Sequence, residues 1–421
     1  MTTTAPGYWP GMPSAPTQRA DRLALLIVGG GPAAMAAARG FRAVRDDRRI
    51  ALVSDEGRLP YRRPPLSKEL LRRETTDAGL PLEPDAWPAE HRMDLVAGRV
   101  VALDPHARRA TLSGGRTLDY ERCVLATGAE PTRPPVPGVD DPAVRVLRSR
   151  ADLAAIETRL SHDTRVVVIG SGFVGCELAA SLRRRGLAVT QLTQERAPLE
   201  ARIGGWAADR VADWLWADGV ALRVGAPVSG IVRDGDVLRV HTAPGPAAAT
   251  ADLVVLAAGV APRIELAIAA GLDCPDGRVP TDARLRTAAP GLWAAGDVAA
   301  AHHALAGRPI PVEHWGDALA QGEVAGRAAA GDEDATWDGV PGFWSSIGHR
   351  VLKHAAWGDG YAQARPHRHA SGAFTVTYHD DAGDLVGVLT HDRDDDYEAG
   401  RREIADAARR RIPAGPDGVG P

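Results

Sequence analysis

The chain has 421 residues, enough for two to four domains at about 100–200 residues each. Apolar residues make up 44%, charged residues 25%, and the formal net charge is −4, which argues against a polybasic nucleic-acid footprint and against an acidic disordered chain. There are 46 Gly and 32 Pro against only 4 Phe, 6 Tyr and 4 Met, so the placement of glycine carries most of the information. No run of 18 apolar residues occurs, and no membrane span is expected. Cys123, Cys176 and Cys274 have no CxxC or zinc spacing and read as small apolar residues in a reducing, cytoplasmic setting. Residues 1–21 are rich in Thr, Pro and Gly, lack the basic and apolar regions of a signal peptide, and are expected to form a flexible arm.

The first element is a continuous apolar run at 23–28. Gly29-Gly30-Gly31-Pro32-Ala33-Ala34 follows, then an alanine-rich helical stretch to about 44. This is strand, tight turn, helix. Gly29 supplies the turn dihedrals, Gly31 admits a pyrophosphate to the backbone, and Ala34 stands where the third small residue lets helix pack on strand. Pro32 suits a first helical turn, whose free N–H groups face the phosphates. A second strand at 50–53 ends at Ser54-Asp55-Glu56, where Asp55 or Glu56 can accept hydrogen bonds from a ribose. Short alternating runs between 100 and 120 predict a three-stranded meander. The run 122–125 breaks at Ala126-Thr127-Gly128.

The pattern then recurs. The apolar run 166–169 leads into Gly170-Ser171-Gly172-Phe173-Val174-Gly175, with a helix expected over 176–185 and a strand over 187–192, ending near Thr193-Gln194-Glu195-Arg196. Two such units about 140 residues apart imply two adenine dinucleotides, a bound flavin and a diffusible nicotinamide. Glu195 favours NADH, since an acid there binds the 2′-hydroxyl and repels a 2′-phosphate, while adjacent Arg196 leaves NADPH open. A further strand at 291–295 ends in Gly296-Asp297, whose carboxylate can bind a polyol hydroxyl or, alternatively, cap a helix starting at Val298. The adjacent pair His302-His303 would point to opposite strand faces and is not read as a metal site. A helix is expected over 318–330, and a hairpin from 374–378 and 385–389 around a turn at 380–383.

These motifs, together with Leu59-Pro60-Tyr61-Arg62-Arg63-Pro64-Pro65-Leu66-Ser67-Lys68 and Glu313-His314-Trp315, resemble the two-dinucleotide flavoprotein reductases of the ferredoxin reductase type, which include apoptosis-inducing factor and the reductases of Rieske oxygenases. The resemblance covers residues 22 to about 350. It implies an α/β fold with two Rossmann-like domains, binding FAD and NAD, and a C-terminal α+β domain. The expected layout is FAD domain 22–140 and 263–325, NAD domain 141–262, C-terminal domain 326–405 and tail 406–421. For FAD it implies the Gly29–Ala33 turn, Asp55 or Glu56, Arg63, Lys68, Thr127, Gly128, Arg148, Gly296, Asp297, Glu313, His314, Trp315 and Trp344. For the nicotinamide it implies Gly170, Gly172, Phe173, Val174, Glu195 and Gly259. It further places Glu177 beside Lys68 as a catalytic ion pair near flavin N5, where positive charge favours the reduced ring.

The resemblance weakens in the third domain, where Ser346 stands in place of an acid common in oxygenase reductases. The expected activity is NADH-dependent reduction of FAD with onward transfer to a ferredoxin serving an oxygenase or cytochrome P450. Alternatives are an NADH oxidase or small-molecule reductase, and a redox-sensing interaction protein. No nucleic-acid or membrane partner is expected, and the assembly is read as monomer or homodimer. The arginine runs 183–185 and 409–411 could contact an acidic ferredoxin or be solvated faces.

Overall fold

A computed structural model describes residues 22–243, Gly245 and 247–411. The expected arm, and the tail beyond 411, lie outside the described residues. The first unit is a five-stranded parallel sheet in the order Leu292–Ala294, Cys123–Leu125, Leu25–Val28, Ile50–Ser54, Met93–Ala97. Its central strand is buried along its whole length, which is why it reads as an unbroken apolar run rather than an alternating one. The meander appears as antiparallel strands Val100–Asp104, Arg109–Leu112 and Thr117–Asp119.

The second unit repeats the parallel arrangement with Ala221–Arg223, Ala188–Leu192, Arg165–Ile169, Leu253–Leu256 and Val144–Val146. It carries its own antiparallel meander, Val228–Asp234, Val237–Thr242 and Ala247–Ala251, which sequence reasoning did not anticipate. The chain leaves the first unit through Ala129–Pro131 and returns through Val260–Pro262, and these two segments pair antiparallel. The third unit is a five-stranded antiparallel sheet, Gly342–Ile347, Arg350–Ala356, Leu385–His391, Phe374–His379 and Gln363–Arg368, with the helix Asp394–Arg411 packed on it.

Several expectations need correction. The second dinucleotide helix runs Phe173–Arg184, three residues earlier than its apolar pattern suggested, because Gly172 takes the extended N-cap conformation and the helix starts at once. No helix begins at Val298; Asp297 lies in a turn before the strand Ala299–His303, which removes the N-cap alternative. The helix Trp315–Ala330 crosses position 326, and Asp394–Arg411 crosses 405, so 406–411 are helical rather than tail. The arginine runs are partly engaged. Arg185 donates to Leu71 O at 3.3 Å, Arg184 lies 3.6 Å from Glu74, and Arg411 pairs with Asp380 at 2.8 Å.

The helix Pro32–Val44 lies directly against Trp315–Ala330. Their approach is set by glycines that sequence motifs did not flag. A Cβ on Gly322 would sit 2.3 Å from Ala33 O, on Gly326 2.1 Å from Ala37 O, and on Gly40 2.4 Å from Glu323 O. The contact brings the N-terminus of the later helix to the first dinucleotide turn.

Candidate active site

A cavity of 1920 Å³ runs between the three units, well above the roughly 300–1,000 Å³ of a drug-sized pocket. Every expected site residue lines it except Gly170 and Glu195. Gly170 lies beneath the second turn at φ +108°, where a Cβ would meet Ala257 O at 2.3 Å. Gly29 repeats this geometry in the first unit, at φ +138° with Ala126 O 2.0 Å from a would-be Cβ. A side chain at either position would collide with the neighbouring strand's end. Gly31 and Gly172 meet nothing within 4 Å. Each caps a long helix without a side-chain hydrogen bond, so first-turn N–H groups remain free for phosphate.

The two candidate ribose acids differ in their surroundings. Glu56 accepts from Tyr61 Oη at 2.6 Å and Arg63 Nη2 at 2.5 Å, and burial pushes the Tyr61 phenol up to about 12, so it stays a donor. Asp55 is exposed, with Arg99 and Arg263 at 3.8 and 3.9 Å, and is the freer acceptor. Asp297 pairs with Arg148 at 2.6 Å, and its own carbonyl accepts from Arg278 at 2.5 Å. Arg278 also pairs with Glu313. Gln321 fixes the same turn by accepting from Gly296 N at 2.9 Å. Gln321 and Arg278 escaped sequence reasoning. A polar amide inside an alanine-rich helix was the available signal for Gln321, since a buried amide needs a partner.

The structure brings Lys68 and Glu177 together, Nζ to Oε2 2.6 Å, with both side chains only 4% exposed. Trp344 is 46% exposed, and its ring centre lies 5.1 Å from Lys68 Nζ. Phe173 packs on Phe343 at 4.1 Å and meets His314 edge-on at 6.4 Å, tying the second unit to the third. His314 caps the helix Trp315–Ala330, and burial lowers it to about 4, so it is neutral near pH 7. Arg202 is another cation of the cavity wall, 5.9 Å from the Phe173 ring, and no motif marked it. The three cysteines are free, and burial pushes Cys176 up to about 12, so none is a poised thiolate. His303 is a packed core histidine, its Nε2 2.9 Å from Gly339 O. Among the described residues no cluster of metal-ligating side chains occurs.

Residues 23–322 match the family model described as pyridine nucleotide-disulphide oxidoreductase. The chain belongs to that family. It is 34% identical over 399 residues to the anthranilate 1,2-dioxygenase system ferredoxin–NAD(+) reductase component of Burkholderia cepacia, covering 91% of this chain and 94% of that protein. It is 33% identical over 327 residues to rhodocoxin reductase of Rhodococcus erythropolis, covering 77% and 75%. A ferredoxin reductase from Rhodopseudomonas palustris superposes with a TM-score of 0.84 at 31% identity, covering 90% of this chain and 93% of that one. A covalent putidaredoxin reductase–putidaredoxin complex gives a TM-score of 0.84 at 30% identity, covering 92% and 94%. The protein is an NAD(P)H-dependent FAD oxidoreductase of the ferredoxin reductase type.

The residues present fit FAD in the first unit. The turn at Gly31, open to the cavity at an uncapped helix N-terminus, suits a pyrophosphate, and the carboxylates at two strand ends, Asp55 or Glu56 and Asp297, suit ribose and polyol. Asp317, in the first turn of the helix Trp315–Ala330, is 6% exposed and accepts only weakly from Gly342 N at 3.3 Å. Burial raises it to about 7, with Arg401 opposing. The folded state therefore keeps a proton that the unfolded chain releases from about pH 4 upward, and stability falls as pH rises to about 7. Asp317→Asn should raise stability at pH 8 by about 2–4 kcal/mol, a gain that narrows toward pH 5. Thermal melts of the holoprotein at the two pH values measure this, and an equal gain at both would remove the assignment.

Proposed function

We propose that this reductase takes hydride from NADH and passes the electrons singly to a ferredoxin that serves an oxygenase or a cytochrome P450. The buried Lys68–Glu177 pair carries the reading, because it sits on the cavity wall where the two dinucleotide units and the third unit meet. Bound FAD would supply the chemistry, taking up an electron pair as hydride and releasing single electrons. Lys68, itself buried, places a fixed positive charge on the cavity wall, where it favours negative charge developing in the cavity. Glu177 keeps that ammonium oriented, and Phe173 closes the wall from the second unit. Trp344, half exposed beside Lys68, lies between this pair and the surface.

The NADH preference is supported at the end of the strand Ala188–Leu192. Ser171 Oγ lies 3.4 Å from Glu195. Arg196, the cation that could accept a 2′-phosphate, is held by Glu200 and Asp209, each at 2.8 Å. Two carboxylates on one guanidinium disfavour a further anion. The ferredoxin acceptor rests on the relatives, whose names couple them to ferredoxin in dioxygenase systems.

The purified flavoprotein is reduced anaerobically with NADH or NADPH and then mixed with a ferredoxin or with oxygen. Bleaching of the flavin by NADH at the higher kcat/KM, followed by fast reoxidation by ferredoxin alone, is the expected result. Oxygen consumption at the same rate would favour an oxidase, and failure of NADH to bleach the flavin would end the proposal.

A further inference from the structure

Glu177 has more partners than the ion pair requires. Its Oε2 accepts from Lys68 Nζ and from Ser67 Oγ, both at 2.6 Å, and its Oε1 accepts from Ser345 Oγ at 2.7 Å. Ser67 is 4% and Ser345 0% exposed, so water does not share these hydrogen bonds. Three distant segments converge on one carboxylate: the turn Pro64–Ser67, the helix Phe173–Arg184 and the strand Gly342–Ile347. The same helix is fastened to the turn a second time, since Ser181 Oγ donates to Ser67 O at 2.8 Å. On the strand, Trp344 stands beside Lys68 while Ser345 reaches Glu177. The third unit thus touches both members of the pair through two consecutive residues.

Resting on the reading above, we propose that Ser67 and Ser345 are positioning residues for hydride transfer, acting through Glu177 to hold Lys68 in place. A lysine ammonium is a point charge on a flexible four-carbon stem, and a carboxylate with one partner can turn about its last bond. Two hydroxyls on opposite oxygens remove that freedom. Electrostatic help of this kind depends on the charge being fixed before reaction to within about 0.5 Å. The third unit is, on this account, part of the hydride-transfer site.

Wild-type protein is first shown to be reduced by NADH; failure at that step counts against the functional reading and not against the serines. S345A and S67A holoproteins are then compared with it for FAD content, for NADH Kd, and for the limiting rate of flavin reduction at saturating NADH. Each variant is expected to lose about 5- to 20-fold in limiting rate with Kd changed less than about twofold. In an E177Q background, S345A should slow reduction no further, because the carboxylate through which it acts is already gone. A merely structural serine would give additive losses. Wild-type limiting rates in both serine variants, or an additive loss in the E177Q background, would overturn the proposal. If S345A fails to retain FAD, S67A decides by the same two readouts.

Discussion

Lys68→Ala is expected to slow the reduction of bound flavin by NADH by about 10²–10³, the usual loss when one preorganised charge or donor is removed from a developing anion. The effect should fall on the limiting rate and leave NADH affinity nearly unchanged, since a charge that matters only as the electrons arrive does not contribute to ground-state binding. The variant also leaves Glu177 buried with two serine donors and no counter-charge. Breaking a buried pair from one side costs about 3–5 kcal/mol, so lost stability could be mistaken for lost catalysis. Lys68→Ala combined with Glu177→Gln separates them. The double variant should recover thermal stability, because no lone charge remains, and should stay as slow as Lys68→Ala. Stopped-flow bleaching of the flavin together with thermal melts reads both quantities, and a Lys68→Ala protein reduced at the wild-type rate would refute the catalytic assignment.

What was legible in the sequence follows from how local each physical cause is. Gly29 and Gly170 are each forced by a carbonyl, of Ala126 and Ala257, at the end of the adjacent strand. The requirement is met within a single unit, and so it recurs as a readable motif wherever the unit recurs. The continuous apolar runs at the sheet centres and the alternating hairpin of the third unit were legible for the same reason. The roles of Ser67 and Ser345 were not, because they act on a carboxylate 110 and 168 residues away, and a serine in a turn or a strand has no pattern of its own. Arg278 and Gln321 hold the Gly296-Asp297 turn from distant segments and leave equally little trace. Glu56 could be marked as an acid at a strand end, but its engagement by Tyr61 and Arg63 depends on where the Pro-rich loop folds back. The misplaced start of the helix Phe173–Arg184 has a simpler origin, since helix ends are set by the cap and not by apolar periodicity.

Gly326→Val should release FAD and destabilise the protein although valine favours a helix over glycine. A Cβ at this position would lie 2.1 Å from Ala37 O and 2.8 Å from Phe41 N. The obstacle is backbone on the facing helix, which no rotamer change can clear, so the helices Pro32–Val44 and Trp315–Ala330 must separate. Overpacking of this kind costs about 1–3 kcal/mol and sometimes more, against an intrinsic helical gain from replacing glycine of well under about 1 kcal/mol. The displacement also reaches the cofactor site. The same helix pair seats Gly322 against Ala33, and a Cβ on Gly296 would already be 3.0 Å from Ala33 Cβ. Separation would therefore move the first dinucleotide turn away from Asp297 and from the helix N-terminus at Trp315. Gly230→Ala, in the strand Val228–Asp234, outside the cavity lining and with nothing within 4 Å of its would-be Cβ, should keep its FAD and its melting temperature. Flavin retained through gel filtration, with a thermal melt of each variant, tests the pair. Full FAD content and unchanged stability in Gly326→Val would show that the helix contact yields, and that the first dinucleotide turn does not depend on it.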